Sequence, residues 1–263
     1  MVTDRAAEVE RWLDLLYVAA DGAGLRQEDR RKALEVAAML EEIERAVLRL
    51  SSRSPLVLVD AAAGKSYVGL LAAKLLLEPM GRNASVVAIE HDPRRVALSR
   101  RAVDRLQTTI PIACQAADVA DMSAWPEKPS IVAALHACGP AADAVLERSI
   151  ATEAQMLLLV PCCTSRAVAA AVRAEAHATR LGIPHHAPVR RRFIQALVDA
   201  ERTWVLEAAG YETEVIEFVG ATVTPHNLLW RARRVREPVR MAAARRALET
   251  LQEKGDCPRI VLN

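Results

Sequence analysis

Residues 56–92 read LVLVDAAAGKSYVGLLAAKLLLEPMGRNASVVAIEHD, and the rest of the chain is organised around them. Leu56 to Val59 is a short apolar run rich in β-branched residues, the pattern of a strand buried on both faces. Asp60 to Gly64 are small, so backbone N–H groups there can approach a ligand closely. Ser66 to Leu77 is long enough for a helix, and Gly81 stands where a helix C-cap would be. Ser85 to Ile89 is a second strand, with Glu90 at its carboxyl end. In parallel sheets ligands lie outside the carboxyl ends of the strands, where an acid typically accepts hydrogen bonds from ribose hydroxyls. The stretch is half of a mononucleotide-binding α/β fold.

The turn admits two nucleotide readings. AAAGKS resembles the end of a phosphate-binding loop, G-x-x-x-x-G-K-[ST], but the first glycine would fall at Val59, inside the strand. The second is a site for S-adenosylmethionine (SAM), in which the turn passes the amino-acid part of the cofactor and Glu90 holds the ribose. The usual D-x-G-x-G becomes Asp60-Ala61-Ala62-Ala63-Gly64. A plain strand–helix–strand unit with no ligand is the third reading. Turn, helix and Glu90 taken together favour SAM.

The chain has 263 residues, enough for one large domain or a domain with an appendage. It is 52% hydrophobic and 26% charged, ordinary for a soluble globular protein, and its 3% aromatic content predicts an aliphatic core. No apolar run reaches the length of a membrane span, and the charged opening Met1 to Arg11 does not read as a secretory leader. The expected location is the cytoplasm. A net charge of +2 neither demands nor excludes nucleic acid. Five cysteines, two of them adjacent, do not make a disulfide framework, so thiols or ligands are expected.

Residues 3–20 and 27–50 read as two helices. In the second, Val36, Leu40, Ile43, Val47 and Leu50 recur at helical spacing against a charged face, and DGAG at 21–24 separates the pair. We expect a helical extension or lid over 1–52 and a main domain over 53–263. After Glu90, Asp92 is an N-cap and Pro93 a first helical residue. Arginines 94, 95, 100, 101 and 105 crowd the outer faces of that helix, which is a solvated surface unless it meets nucleic acid. Ile110 to Gln115 is the third strand, followed by Asp118. Ile131 to Leu135 is the fourth, ending in His136-Ala137-Cys138-Gly139-Pro140, with Asp143 in the next helix. Met156 to Val160 is the fifth, ending in Pro161-Cys162-Cys163.

Two further helices, 166–179 and 189–208, are joined by LGIPHHAP. The second opens on Arg190-Arg191-Arg192, where the helix dipole disfavours cations. Tyr211 to Val219 and Leu228 to Ala232 then read as a closing pair of strands, and 236–254 as a basic helix. His185-His186, Trp204, Trp230 and Asn227 have ordinary structural explanations. The expected architecture is a Rossmann-like α/β fold with a seven-stranded sheet in the order 3-2-1-4-5-7-6.

In such a sheet strands 4 and 5 are neighbours, so His136, Cys138, Cys162 and Cys163 meet at the rim. Four readings apply to that group. The cysteines are buried small hydrophobes; or His136 and Asp143 orient or deprotonate an acceptor beside them. Alternatively the four form a zinc set, without the usual C-x-x-C spacing; or Cys138 and Cys162 are covalent nucleophiles, as in RNA cytosine-C5 methyltransferases.

VDAAAGKSYVGLLAAKLL, VVAIEHD, ALHACGPAADAVL, LLVPCC and TPHNLL, in this order, resemble a class I SAM-dependent methyltransferase family. That family carries a histidine–cysteine–glycine motif after strand 4 and Pro-Cys-Cys after strand 5. It includes the methyltransferase-like 25 proteins and is related to a tRNA 2′-O-methyltransferase. The resemblance spans about Arg31 to Arg234. It implies SAM held by Asp60, Gly64, Glu90 and Asp118, with S-adenosylhomocysteine (SAH) as product; Ala62, Tyr67, His91 and Val119 are further candidate cofactor contacts. It implies an acceptor near His136, Cys138 and Cys162; Asp143 is a further candidate base, and no metal is expected. The expected function is methyl transfer to a hydroxyl or amine of RNA or a small metabolite. A non-catalytic binding module of the same fold is the alternative, and a P-loop-like nucleotide hydrolase a more distant one. Oligomeric state is not legible.

Overall fold

The computed structural model describes residues 2–18, 25–163 and 165–252. Seven strands form one sheet in the order 3-2-1-4-5-7-6, as the sequence predicts. β1 (Leu56–Ala61) lies between β2 (Ala84–Glu90) and β4 (Ile131–Cys138). β3 (Ile112–Ala116) flanks β2, and β5 (Met156–Cys163) flanks β4. These five run parallel, so their carboxyl ends share one rim. β7 (Leu228–Arg234) returns antiparallel along β5, and β6 (Tyr211–Glu217) closes the edge.

Side chains of a strand alternate between the two faces of the sheet, and each face has its own cover. Leu56 and Leu58 point into one core, which they share with α1 (Val2–Leu13), α2 (Gln27–Arg49), α3 (Tyr67–Ala72) and the inner side of α4 (Pro93–Leu106). Val59 and Ala61 point into the other, with α5 (Pro140–Ala151) and α7 (Ala187–Ala208). α6 (Ala169–Arg180) packs on α7 through a small third cluster, and α8 (Pro238–Gln252) lies along α7. The apolar stripe of α2 is buried as its spacing predicts: Val36, Leu40 and Ile43 are wholly inaccessible. Each such side chain contributes about 1.5–3 kcal/mol of transfer free energy.

Element ends differ from expectation in instructive ways. The first helix stops at Leu13 and continues as one π-helical turn, Asp14–Val18; α3 likewise widens into a π-turn over Ala73–Leu77. β4 and β5 each run three residues further than expected, so His136 to Cys138 and Pro161 to Cys163 are inside strands. Bulges let the pairing continue. The separating DGAG, the Cys163 side chain and the tail beyond Gln252 lie outside the described residues.

α2 packs against α1, α3, β4 and β5. Glu42, buried at 5% exposure, receives Arg231 through Nε at 2.6 Å and Nη2 at 2.7 Å, and pairs with Arg45. This forked bond ties α2 to β7. Among the described residues no helix is long and apolar enough to cross a membrane.

Candidate active site

The chain leaves β1 by a turn whose backbone is left-handed at three places: Ala62 (φ 53°), Gly64 (φ 59°) and Ser66 (φ 57°). A Cβ built on Gly64 would meet nothing within 4 Å, so the glycine serves the backbone conformation and the space beside it is open. Beneath the turn, Asp60 is buried and its Oδ2 accepts the Gly69 amide at 2.8 Å. Burial pushes the Asp60 carboxyl up to about 7; the Gly69 hydrogen bond opposes the shift and the charge of Glu90 adds to it. Asp60 therefore braces α3 against β1 instead of facing the open rim.

Glu90 closes the other side of the turn. Its Oε2 accepts from the Gly64 amide at 2.8 Å and its Oε1 from the Asp92 amide at 2.9 Å. His91 Nδ1 lies 3.0 Å from the same Oε1, and the His91 ring is otherwise exposed. A carboxylate offers about four acceptor positions, so capacity remains on Oε2. Beyond β3, Asp118 is exposed and spends Oδ1 on the Ala120 amide at 2.8 Å. Val119 is fixed beside it, because its carbonyl accepts from Trp125 Nε1 at 2.9 Å.

Tyr17, in the π-helical turn that ends the first helical segment, packs on the turn after β1, a specific pairing not visible in the sequence. The Tyr17 hydroxyl donates to the Lys65 carbonyl at 2.6 Å, and its ring meets Tyr67 edge-on at 4.8 Å. The Lys65 ammonium stands 5.9 Å and 6.0 Å from the two ring centres. Burial raises the Tyr67 hydroxyl to about 12, with the Asp29 charge a second cause.

On the neighbouring strand, His136 is the extra residue of a bulge. Leu135 pairs with Val160 and Ala137 with Pro161, leaving His136 without a cross-strand partner and with φ at +64°. A bulge next to a site re-aims one side chain, and a left-handed histidine is strained by about 1–2 kcal/mol. The ring is thereby delivered to Glu35 of α2, whose Oε1 lies 3.0 Å from Nε2. Glu35 is itself 5% exposed and also holds the Lys32 ammonium at 2.6 Å. Burial pushes its carboxyl up, but the hydrogen bonds from His136 and Lys32 outweigh this and hold it below the usual carboxylate range. His226, in the loop before β7, feels the same pair: burial and His136 push its imidazole down while Glu35 raises it.

Cys162 is the matching extra residue of β5, since the register steps from Pro161 to Cys163. Cys138 and Cys162 are joined as a disulfide, with Cα atoms 5.3 Å apart. This corrects the expectation of thiols: two bulged strand ends bring the sulfurs together, and in this form neither is a nucleophile. Asp143 is placed in the first turn of α5, where its Oδ1 accepts from Arg202 Nε at 2.8 Å. Among the described residues no group of three or more His, Cys, Asp or Glu is arranged to hold a metal ion.

Several of the arginines singled out in the sequence are engaged structurally, while Arg101, Arg191 and Arg192 are exposed. Arg100 donates to the Cys114 carbonyl and Arg105 to that of Leu16. Arg190 is buried and binds Glu175 Oε1 at 2.7 Å, the Ile183 carbonyl at 2.9 Å and Thr179 Oγ1 at 2.5 Å. It staples α7 to α6, which explains a cation at a helix start. A groove of about 1070 Å³ is lined by Arg45, Arg49, Arg231, Arg233, Arg234 and Arg236 near the start of β5. It lies at the rim opposite His136, and glutamates pair most of these arginines.

Similar solved structures include the SAH-bound methyltransferase PaMTH1 of Podospora anserina, 12% identical over 88% of this chain and 87% of that one, with a TM-score of 0.47. Another is the SAH-bound magnesium protoporphyrin IX methyltransferase ChlM of Synechocystis PCC 6803, 11% identical over 88% and 95%, TM-score 0.49. A third, TrmK of M. capricolum with SAH, is 10% identical over 73% of this chain and 66% of that one, TM-score 0.38. No curated protein matches the sequence. The profile of a methyltransferase-domain family matches residues 31–170, more than half of the chain and the part that carries the turn, Glu90 and His136. The chain belongs to that methyltransferase-domain family.

Proposed function

We propose that the protein transfers a methyl group from SAM to an acceptor held beside His136, with His136 as the general base. The observation that carries this is the bulge at His136, which uses backbone strain to present one titratable ring, paired with Glu35, at the carboxyl end of β4. The cradle fits the cofactor. Space is open beside Gly64, Glu90 retains acceptor capacity for ribose hydroxyls, and Asp118 has a free oxygen at the rim. Ala62, Tyr67, His91 and Val119 complete the set, while Asp60 supports the turn from beneath.

Bound SAM supplies an already activated methyl, whose carbon–sulfur bond breaks with its electron pair left on sulfur as SAH. The work of the protein is therefore alignment of the acceptor and removal of its proton. His136 takes that proton, an effect worth about 10²–10⁴ in rate. Asp143, through Arg202, fixes the start of α5 next to it. Cys138 and Cys162 shape the wall of the acceptor site.

The acceptor class is a hydroxyl or amine on RNA or a small metabolite. The order of motifs HACGP and PCC supports the narrower kinship with the methyltransferase-like 25 proteins and the related tRNA methyltransferase.

The test is tritiated SAM with fractionated cell extract, counting RNA, protein and small molecules separately. Wild type transfers label into one fraction, and His136→Ala and Glu90→Ala abolish it. Full transfer by His136→Ala would remove the histidine from the mechanism.

A further inference from the structure

We infer that Glu35 is a positioning residue for His136: it holds the Nε2–H so that Nδ1 is the atom that removes the acceptor's proton, and the acceptor is a hydroxyl. This rests on His136 being the base.

The geometry is specific. Glu35 Oε1 lies 3.0 Å from Nε2, the Glu35 side chain is 7% exposed and that of His136 18%. Lys32 and His136 keep the Glu35 carboxyl ionised near neutral pH, so it is acceptor-only and the ring must donate to it. A neutral imidazole with its proton on Nε2 has its lone pair on Nδ1. Among the described residues no other hydrogen bond reaches the ring nitrogens. When Nδ1 takes a proton, the imidazolium charge develops directly against a buried carboxylate. The charged or titratable groups around the pair are Lys32 on the same helix and His226 from the loop before β7.

A carboxylate–histidine pair suits an acceptor whose attacking atom must lose its proton as it attacks. An amine attacks through a lone pair it already has when neutral; a hydroxyl is a weak nucleophile until its proton is being removed. The donor helix explains a second fact. α2 belongs to the part of the chain that precedes β1, and its Glu35 completes a site otherwise built from strand ends.

The test uses the full chain labelled with ¹⁵N at histidine, His136 being assigned by its loss in His136→Ala. Above neutral pH the wild type gives one tautomer at His136, protonated on Nε2. Glu35→Ala gives a mixture of tautomers and lowers transfer by about 10²-fold with SAM affinity unchanged. Glu35→Gln, nearly isosteric, keeps the tautomer through its amide oxygen but moves the Nε2–H proton upfield, because an amide accepts more weakly than a carboxylate. Glu42→Gln, on the same helix but bonded to Arg231, leaves the His136 signals in place. His136 signals that stay in place in both Glu35 variants would overturn the assignment. If Glu35→Ala does not fold, Glu35→Gln decides alone. Label found on an amine nitrogen would overturn the hydroxyl assignment. Loss of transfer in His136→Ala with no spectral change in the Glu35 variants would remove Glu35 and leave the base intact; full transfer in His136→Ala would remove the base itself.

Discussion

The Asp60 carboxylate accepts the Gly69 amide at 2.8 Å, and a Cβ on Gly69 would stand 3.0 Å from that same oxygen. One buried acid thus sets both the start of α3 and the residue type facing it. Its carboxyl is pushed to about 7 by burial, against 3.8 ordinarily. Between about pH 4 and 7 the folded state keeps a proton that the unfolded chain has released. The contribution of Asp60 to stability therefore falls as pH rises through this window, by up to ~4 kcal/mol, and is constant above it. Urea unfolding of wild type against Asp60→Asn should show this slope only in wild type; parallel profiles would refute it. Gly69→Ala should cost about 1–3 kcal/mol by overpacking.

Position 136 separates strain from chemistry. His136→Ala and His136→Gly both lack the ring and should both fail in transfer. The glycine variant should be the more stable by about 1 kcal/mol, because φ of +64° costs it nothing. Equal unfolding midpoints for the two would show that the bulge is not strained.

The Cys138–Cys162 bond closes a loop of 24 residues at the site wall. Cross-links of that span contribute about 3 kcal/mol. Reductant should lower the thermal midpoint by roughly 6–10 °C. Cys138→Ser should be insensitive to reductant. An identical midpoint with and without reductant in wild type would contradict the linkage.

Arg190 and its neighbours should behave oppositely. Arg190→Ala removes a buried guanidinium that donates to Glu175, the Ile183 carbonyl and Thr179 Oγ1, and should destabilise by about 1–3 kcal/mol. Arg191→Ala and Arg192→Ala, at exposed positions, should fall within about 0.5 kcal/mol of wild type. Weakened RNA retention by the outer pair would instead make this helix start a phosphate grip.

What was legible in the sequence was what has a local period. The buried strand Leu56–Val59, the small-residue turn and Glu90 at a strand end are each visible within a few residues, and together they imply the sheet order. His136 was legible by its place after strand 4, but its bulge was not, because a register step depends on the partner strand. Glu35 was hidden. Between Leu34 and Val36 it looks like one more charge beside an apolar stripe, and its partner lies on another element. Arg190 stood out for disobeying the helix dipole, yet the reason was Glu175, visible only once α6 and α7 are packed. Tyr17 and Arg202 were missed for the same cause: their partners are distant in sequence.

The most direct test of the account is calorimetric titration of SAM into wild type, Glu90→Ala and His136→Ala. Glu90 faces the cofactor and His136 the acceptor, so the two variants should split. Wild type and His136→Ala should bind one equivalent of SAM with the same affinity. Glu90→Ala should bind at least about tenfold more weakly, the loss of one charge-assisted hydrogen bond. SAM binding that survives Glu90→Ala undiminished, or is lost in His136→Ala, would contradict the placement of cofactor and acceptor on this rim.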